Sequence, residues 1–338
     1  MSVLDHFSPA VFSWGRRPPT PDEIVKAAQH TEKLGFYSIN LPLQAALPDA
    51  GPSALFGNKH ILDPLVLLPL MVTATSKIRI AIDAIPVPFL PPFEWAKYFA
   101  SLDVLSGGRI IVGMCLGFSE ASFNAMGADM RNRGKMSDEA VEVITRLWTE
   151  DEVTYDGQFY HLKDVRMEPK PIQKPYPPIW WGGRQKSIPR AARYCEYLNT
   201  IWPPMDEVRN EYIPQLKEET KKWGTSTKLA TWLYCCITPD REMPDDEVNK
   251  LFGDMMSMEI KVVPSDVSMA GSPEQCAAKL KEYMDAGVDH FVLDFQRHGV
   301  DPTEVLIEQT ELFAREVAPL LELLGAAKSI RVTIGQEG

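Results

Sequence analysis

The sequence lacks any apolar run of the roughly 20 residues that a helix needs to cross a bilayer. Its first residues, among them Asp5 and His6, also lack the basic-then-apolar order of a secretory signal peptide. Positive charge is scarce as well, because 35 Lys and Arg against 46 Asp and Glu leave a formal net charge of -11. A broad phosphate-binding surface is therefore disfavoured. We expect a soluble, cytoplasmic protein that binds neither membranes nor nucleic acid.

Cysteine is also scarce, and its spacing excludes two classes of site. The five cysteines form no CxxC pair, so the sequence indicates neither a zinc site nor a disulfide framework. We expect free thiols, a reducing compartment and no bound metal. The cysteines are Cys115, Cys195, Cys235, Cys236 and Cys276.

A GxGxxG turn is missing after the first predicted strand, where residues 13–17 read SWGRR. Its absence argues against a doubly wound nucleotide-binding sheet, which is the alternative fold. What the chain does have is a regular alternation of strand-like and helix-period segments. This pattern predicts an α/β fold, a (β/α)8 TIM barrel, formed as a single domain over residues 1–338. The strand candidates are residues 7–12, 37–41, 78–85, 110–116, 179–181, 197–202, 229–237 and 291–295.

Three excursions interrupt the alternation, at about residues 42–61, 150–178 and 239–270. The middle one contains Asp-Gly between two short strand-like pieces within residues 153–160, which is a strong hairpin signal. The first and third are long, contain prolines and follow strands, where a barrel keeps its substrate loops. The third is consistent with a partly helical lid and equally with a packed excursion that has no catalytic role.

The junction between one helix and the strand at residues 110–116 indicates a ligand site. Gly107 and Gly108 end the helix, and the strand then ends in small residues beside Cys115, which suits close approach of backbone to a ligand. In α/β folds, ligands bind at the carboxyl ends of strands.

A second glycine-containing segment, residues 182–187 (GGRQKS), lies between a strand and a helix. Two glycines, the cationic Arg184 and the Ser187 hydroxyl at a helix start form a pattern that suits an anion, with phosphate as the natural guest. A tight turn without a ligand is the alternative interpretation.

Six motifs, in order along nearly the whole chain, closely resemble those of bacterial luciferase-like flavin monooxygenases, a superfamily that includes F420-dependent enzymes. They are residues 106–117 (SGGRIIVGMCLG), 127–132 (GADMRN), 155–160 (YDGQFY), 169–175 (PKPIQKP), 178–183 (PIWWGG) and 271–276 (GSPEQC). The fold that the resemblance implies is a (β/α)8 barrel with excursions, in agreement with the alternation described above.

The resemblance also implies where a flavin would lie. The family's non-prolyl cis peptide, which lies against the isoalloxazine ring, falls here at Asp83-Ala84. Cys115 matches the reactive thiol of luciferase, with a buried structural cysteine as the alternative. The arginine that follows this thiol in luciferase and helps to hold the phosphate is replaced by Leu116, and Arg184 is the candidate that compensates. The cofactor-binding candidates are Asp83, Ala84, Cys115, Gly117, Gly182, Gly183, Arg184 and Ser187.

One family feature is missing, namely the histidine just after the second strand, since residues 40–44 read NLPLQ. His60 and His298 are the replacement candidates, and His298 is better placed because it follows the last predicted strand. Its ordinary pKa of about 6.5 permits proton transfer. Arg297 beside it would bind an acidic substrate or the flavin phosphate, with a surface salt bridge as the alternative. The catalytic candidates are His298, Arg297 and Cys115.

In function, the resemblance implies an FMNH2-dependent monooxygenase that inserts one oxygen atom from O2 into a small organic substrate, aldehyde-like or otherwise apolar, through a flavin C4a-peroxide. An F420-dependent oxidoreductase that transfers a hydride is the first alternative, and a flavin-binding relative without turnover is the second. Because no NAD(P)H fingerprint is evident, we expect a separate flavin reductase as partner. Because the family commonly forms homodimers, we expect one here, with the final helix and its neighbours as the candidate surface. Candidates for an apolar pocket wall are Trp14, Phe89, Phe118, Trp202 and Trp232, with ordinary core packing as the alternative.

Overall fold

The computed structural model describes residues 2–10, 18–41, 62–253, 262–297 and 300–325, and its main feature is a barrel of parallel strands. The strands are β1 (Phe7–Pro9), β2 (Ser38–Leu41), β3 (Arg79–Pro86), β4 (Ile110–Cys115), β5 (Val153–Asp156), β6 (His161–Val165), β7 (Ile179–Gly182), β8 (Tyr197–Ile201), β9 (Lys228–Ile237), β10 (Met269–Gly271) and β11 (Val288–Phe295). Eight of them pair in the order β1-β11-β9-β8-β7-β4-β3-β2, and a parallel bridge between Ala10 and Asn40 joins the two ends. The predicted (β/α)8 barrel is confirmed.

Helices surround this barrel. The α-helices span Pro21–Leu34, Pro64–Ala74, Pro92–Ser106, Glu120–Met126, Arg133–Thr149, Ile188–Tyr194, Met205–Glu207, Ile213–Trp223, Asp245–Phe252, Pro264–Val267, Pro273–Ala286, Pro302–Leu312 and Ala318–Leu323. Two helical segments, at residues 205–223 and 302–323, each contain a π-helical turn, at Val208–Tyr212 and Phe313–Val317. Among the described residues, no helix is long and apolar enough to span a membrane.

Capping residues fix where the helices begin and end. Thr20 accepts a hydrogen bond from the backbone N–H of Glu23, and the Glu23 carboxylate accepts one from the backbone N–H of Thr20. Ser272 and Gln275 form the same reciprocal pair at a later helix. Both pairs satisfy N–H groups that have no partner within a helix. Gly35 then ends the first of these helices with a φ of 85°, a conformation that favours glycine.

Side chains along the barrel strands alternate between the barrel interior and the layer beneath the helices. In β11, Phe291 and Leu293 belong to the main apolar core, whereas Val292 packs in a separate cluster inside the barrel. His290 and Asp294 share the strand face of Val292, and both are buried. The interior therefore contains polar groups as well as apolar ones.

The middle excursion forms the predicted hairpin, from the antiparallel strands β5 and β6. Its second strand, expected within residues 153–160, begins instead at His161, so that part of the prediction is wrong. The reason is the Glu139 carboxylate, which accepts backbone N–H bonds from residues 158–160 at 2.9–3.3 Å and holds them as a loop.

The third excursion covers part of the barrel mouth. Its helix Asp245–Phe252 ends on Phe252, whose ring stacks on Tyr234 of β9 at 5.6 Å between ring centroids. Trp202 also packs against Tyr234, at 4.9 Å between ring centroids. Residues 254–261 of this excursion, and the first excursion at 42–61, lie outside the described residues.

Candidate active site

Three neighbouring strands, β3, β4 and β7, end in small residues at one level of the barrel. Cys115 is in register with Gly182, and a Cβ added to Gly182 would lie 3.4 Å from the Cβ of Ala84 and 3.4 Å from the Cβ of Cys115. These are ordinary van der Waals separations, so the three residues form a continuous surface of small side chains, which we call the floor. The Asp83-Ala84 peptide bond beside it is cis, as the resemblance implied.

Two glycines shape the edge of the floor. A Cβ on Gly113 would lie 2.2 Å from the carbonyl oxygen of Ile82 and 2.9 Å from the Cα of Asp83, so only glycine lets β3 and β4 approach this closely. Gly117 has a φ of 74°, and a Cβ there would lie 2.9 Å from the ring of Phe123. The chain therefore turns away from the floor directly after β4.

Cys115 contributes a neutral side chain to the floor. Burial raises the pKa of its thiol to about 12; a backbone hydrogen bond from Gly117 opposes this rise, and the nearby Asp83 carboxyl contributes to it. The Sγ atom lies 3.9 Å from the carbonyl oxygen of Ala84. At neutral pH the thiol is protonated, and the nucleophilic thiolate form is scarcely populated.

Asp83 projects into the barrel interior, where only 7% of its surface is exposed. The Nδ2 groups of Asn199 and Asn40 both donate to its Oδ2, the latter at 3.4 Å. Burial raises the pKa of Asp83 to about 7, whereas these two hydrogen bonds lower it. Within the described parts of the chain, no group donates to Oδ1 of Asp83, and the buried Oδ1 of Asn199 also lacks a donor. Two acceptor oxygens are thus available beside the floor.

Buried hydrogen bonds continue from Asn40 across the barrel to His290. Oδ1 of Asn40 lies 2.7 Å from Oγ of Ser38, which lies 2.7 Å from Oγ of Ser8, which in turn lies 2.7 Å from Nε2 of His290. All of these residues are buried. Burial also lowers the pKa of His290 well below its ordinary value, so its imidazole is neutral at neutral pH. We call Asn40, Ser38, Ser8 and His290 the polar chain.

The predicted anion cradle, residues 182–187, folds as a tight turn directly after β7. The backbone N–H of Ser187 donates to the carbonyl oxygen of Arg184 at 2.7 Å. A Cβ on Gly183 would lie 2.2 Å from Oγ of Ser187, so the Ser187 hydroxyl occupies the space that the glycine leaves. Because Gly182 belongs both to this turn and to the floor, the cradle and the floor are adjacent.

Arg184 is already paired with an acid. Its Nη2 donates to Oε2 of Glu207 at 2.8 Å, and the Gln185 amide donates to the carboxylates of Glu207 and Glu211 at 2.7 and 3.2 Å. The Arg184 and Glu207 side chains are 30% and 29% exposed, so solvent screens the ion pair only partly. A phosphate in the cradle would compete with Glu207 for the guanidinium.

Comparison with known proteins identifies the family. The sequence profile of the family described as luciferase-like monooxygenase matches residues 4–266. The chain belongs to the luciferase-like monooxygenase family. An FMNH2-dependent dimethylsulfone monooxygenase of Pseudomonas putida is 29% identical over 344 residues, covering 91% of this chain and 90% of that protein. An F420-dependent glucose-6-phosphate dehydrogenase of Kineococcus radiotolerans is 26% identical, covering 78% and 83%. The crystal structure of a monooxygenase from Streptomyces bottropensis superposes with a TM-score of 0.76 at 21% identity, covering 93% and 99%.

In this member of the family, the two candidates after the last strand remain predictions. Arg297 is exposed and donates to both carboxylate oxygens of Glu308, at 2.7 and 2.8 Å, which is the surface salt bridge weighed as its alternative. His298 and His60 lie outside the described residues. Nowhere in the described ranges do three or more His, Cys, Asp or Glu side chains cluster to hold a metal ion.

The aromatic candidates for a pocket wall separate into three groups. Phe89, Trp202 and Trp232 are buried, Phe118 is 70% exposed, and Trp14 lies outside the described residues. Among the described candidates, the buried three have apolar surroundings, which suit a pocket wall and core packing alike.

Sequence reasoning missed the polar groups that face the barrel interior. Asn40, Asn199 and Asp294 each interrupt an apolar strand, and that interruption is the signal that could have revealed them. Burial raises the pKa of Asp294 to about 7, whereas hydrogen bonds from Gln296 and Trp232 lower it. Two buried carboxyl groups with raised pKa values thus lie at the strand ends, a feature that is enriched in active sites.

Proposed function

We propose that this protein is an FMNH2-dependent monooxygenase that inserts one oxygen atom of O2 into a small organic substrate. The observation that carries the proposal is the floor, from which no large side chain rises, with Asp83 and Asn199 beside it. A planar heteroaromatic ring suits such a surface, and its N–H and C=O edge suits a carboxyl group and an amide oxygen that lacks a donor. The Pseudomonas putida relative, named for its use of FMNH2, supports the same cofactor.

The residues divide into a ring site and a phosphate site. Ala84, Cys115 and Gly182 would lie against the ring, with Gly117 at the edge. The cradle residues Gly183, Arg184 and Ser187 would hold the phosphate. Reduced flavin, when bound, supplies the electrons that activate O2. The protein binds and orients the flavin and the substrate and excludes water, for which the aromatic residues beneath the third excursion are suited.

The proposed substrate is a small organic molecule that is aldehyde-like or otherwise apolar. The name of the Pseudomonas putida relative, which gives dimethylsulfone as its substrate, supports the small size. Hydride transfer with F420 is the second candidate function, supported by the match to the Kineococcus radiotolerans dehydrogenase over 288 residues. In either case His298 is the candidate for proton transfer, and Arg297 is the candidate that binds an acidic substrate or the cofactor's phosphate.

Cofactor affinity tests the assignment. The protein is titrated with FMN, with FMNH2 under anaerobic conditions and with F420, and binding is followed by fluorescence. We expect FMNH2 to bind most tightly, and tighter binding of F420 would overturn the choice. Formation of oxygenated product from sulfones and aldehydes, with FMNH2 and O2, then separates an enzyme from a flavin-binding relative without turnover.

A separate flavin reductase is the proposed partner, and the cytoplasm is the proposed compartment because reducing conditions suit the five free cysteines. The purified protein with FMN and NADH should oxidise no NADH until a reductase is added. NADH oxidation without a reductase would remove the need for the partner.

A homodimer is proposed from two neighbouring helices, Pro64–Ala74 and Pro92–Ser106, joined by a 2.6 Å hydrogen bond from the Tyr98 hydroxyl to the Leu65 carbonyl oxygen. Val66 and Leu105 on these helices are 72% and 75% exposed, so both are available to a partner that would cover them. Val66→Lys with Leu105→Lys should produce monomers in sedimentation experiments. Lysine at Trp223, an apolar residue that is 50% exposed on another helix, is the control. Unchanged sedimentation of the double variant would rule out this surface.

A further inference from the structure

With Asp83 ionised, the hydrogen bonds of the polar chain run in one direction. Oδ2 of the carboxylate can only accept, so Asn40 directs its Nδ2 towards it. Oδ1 of Asn40 then faces Ser38, whose hydroxyl donates to it at 2.7 Å. The Ser38 oxygen lies 2.7 Å from both Asn40 and Ser8 but carries a single proton, so with that proton on Asn40 it accepts from Ser8.

The same logic fixes the tautomer of His290. Because the Ser8 hydroxyl proton is directed at Ser38, Oγ of Ser8 accepts from Nε2–H of His290 at 2.7 Å. His290 is neutral, since burial and then the nearby His6 and Lys228 lower its pKa. Every proton of the polar chain thus points towards Asp83, and such a chain strengthens its terminal bond.

Few ionisable groups face Asp83. Asn40 approaches from β2 and Asn199 from β8, both uncharged, and on β4 the neutral Cys115 thiol is the titratable neighbour. The protonation of Asp83 therefore depends on burial and on the two amides. Both amides hold Oδ2, so the proton of the neutral acid belongs on Oδ1.

We propose that Asp83 is the acid–base residue of this site and that the polar chain positions the amide that holds its carboxylate. In the forward step the Oδ1–H bond breaks, and the proton forms an O–H or N–H bond on an anionic oxygen or nitrogen of the bound ligand. The carboxylate that remains is held by Asn40 and Asn199, and the reverse step returns the proton. The identity of the ligand as a flavin or its substrate depends on the proposed function, whereas the titration of Asp83 does not.

The test follows the carboxyl groups of the full chain by infrared spectroscopy, without cofactor, from about pH 5 to pH 9. Asp294 titrates in the same range, so the measurements use the Asp294→Asn background. There we expect one C=O band of a protonated acid to disappear with a midpoint of about pH 7, and Asp83→Asn to abolish it. Ser38→Ala leaves Asn40 free to turn away and should raise the midpoint by about one pH unit, a tenfold change in the protonation equilibrium.

The matched control is Ser137→Ala, which removes a buried serine hydroxyl that has no hydrogen-bond partner and does not belong to the polar chain. It should leave the midpoint unchanged. Ser8→Ala is a second variant of the polar chain, to be used if Ser38→Ala misfolds. His290→Gln should keep the midpoint, because the glutamine amide still donates a hydrogen bond to Ser8. An unchanged midpoint in a folded Ser38→Ala or Ser8→Ala variant, an equal shift in Ser137→Ala, or a band that survives Asp83→Asn would overturn the proposal.

The ligand step is tested with reduced FMN as the probe, whose ring carries an anionic nitrogen at neutral pH, by anaerobic calorimetry at pH 7 in two buffers of different ionisation enthalpy. We expect proton exchange on binding in the parent protein and none in Asp83→Asn. Equal proton exchange in both would overturn the acid–base role. Failure of reduced FMN to bind any variant would instead count against the proposed function. The cofactor-free titration would still test whether the polar chain controls the protonation of Asp83.

Discussion

Replacing Asp83 with asparagine is expected to remove a pH-dependent destabilisation of the fold. In the unfolded chain the carboxyl ionises near its ordinary pKa of 3.8, whereas burial in the barrel raises that pKa to about 7. Between these values the native carboxyl is protonated and the unfolded one is ionised, so the free energy of unfolding falls as pH rises and is lowest above pH 7. The gap of about three pH units corresponds to about 4 kcal/mol, at about 1.4 kcal/mol per unit.

Asp83→Asn keeps the shape of the side chain and cannot ionise. In the parent, the free energy of unfolding declines between about pH 4 and pH 8. In the variant this decline should be smaller by about 4 kcal/mol. Urea denaturation at several pH values, followed by tryptophan fluorescence, measures this decline. Asp151→Asn, at an exposed position, is the control and should retain the parent's profile. A decline in Asp83→Asn as steep as that of the parent would refute the reasoning.

Three further predictions concern the floor and the cradle. Gly183→Ala should lower the free energy of unfolding by about 1–3 kcal/mol, because its Cβ would lie 2.2 Å from Oγ of Ser187. Denaturation measures this loss, and adding Ser187→Gly should recover the lost stability. Glu207→Gln should tighten FMN binding about two- to fivefold in fluorescence titrations, since it releases Arg184 from a partly exposed ion pair. Cys115 should react with iodoacetamide at pH 8 at least about a hundredfold more slowly than an exposed thiol, by mass spectrometry, because its pKa is about 12.

Each of these predictions has an outcome that contradicts it. For Gly183 the matched variant is Gly182→Ala, whose Cβ makes only 3.4 Å contacts, and an equal loss of stability in both would show that the Ser187 clash is not the cause. Weaker FMN binding in Glu207→Gln would mean that Glu207 orients Arg184 for the phosphate. Rapid alkylation of Cys115 would show that the floor is open to solvent and the thiol partly ionised.

The fold was predictable because periodicity is a local property of the sequence. The run at residues 110–116 is apolar at nearly every position, as expected of a parallel strand covered on both faces, and the structure places β4 there. The cap at Thr20 likewise marks a helix start that depends only on adjacent residues. The second hairpin strand was misplaced because its start depends on Glu139, a residue of a preceding helix.

The site was predictable only where its signal was local. Small residues at strand ends indicated the floor, since glycine beside a buried strand is informative by itself. The pairing of Asp83 with Asn40 and Asn199 was not predictable, because the three lie on β3, β2 and β8 and meet only through the closure of the barrel. The pairing of Arg184 with Glu207 was not predictable either, because Glu207 lies on a helix that follows the next strand and meets Arg184 only in the folded chain.

The asymmetry of the Asp83 carboxyl is what gives the site its chemical character. If the two amides were divided between its oxygens, the carboxylate would be stabilised evenly and neither oxygen would be set apart for a ligand. Because both donate to Oδ2, they hold the side chain in one orientation and leave Oδ1 to carry or receive the proton. The floor beside it places no large side chain in the way of a planar ligand. A site of this kind needs no histidine after the second strand, since a buried carboxyl with a pKa of about 7 exchanges protons in the range where histidine ordinarily acts.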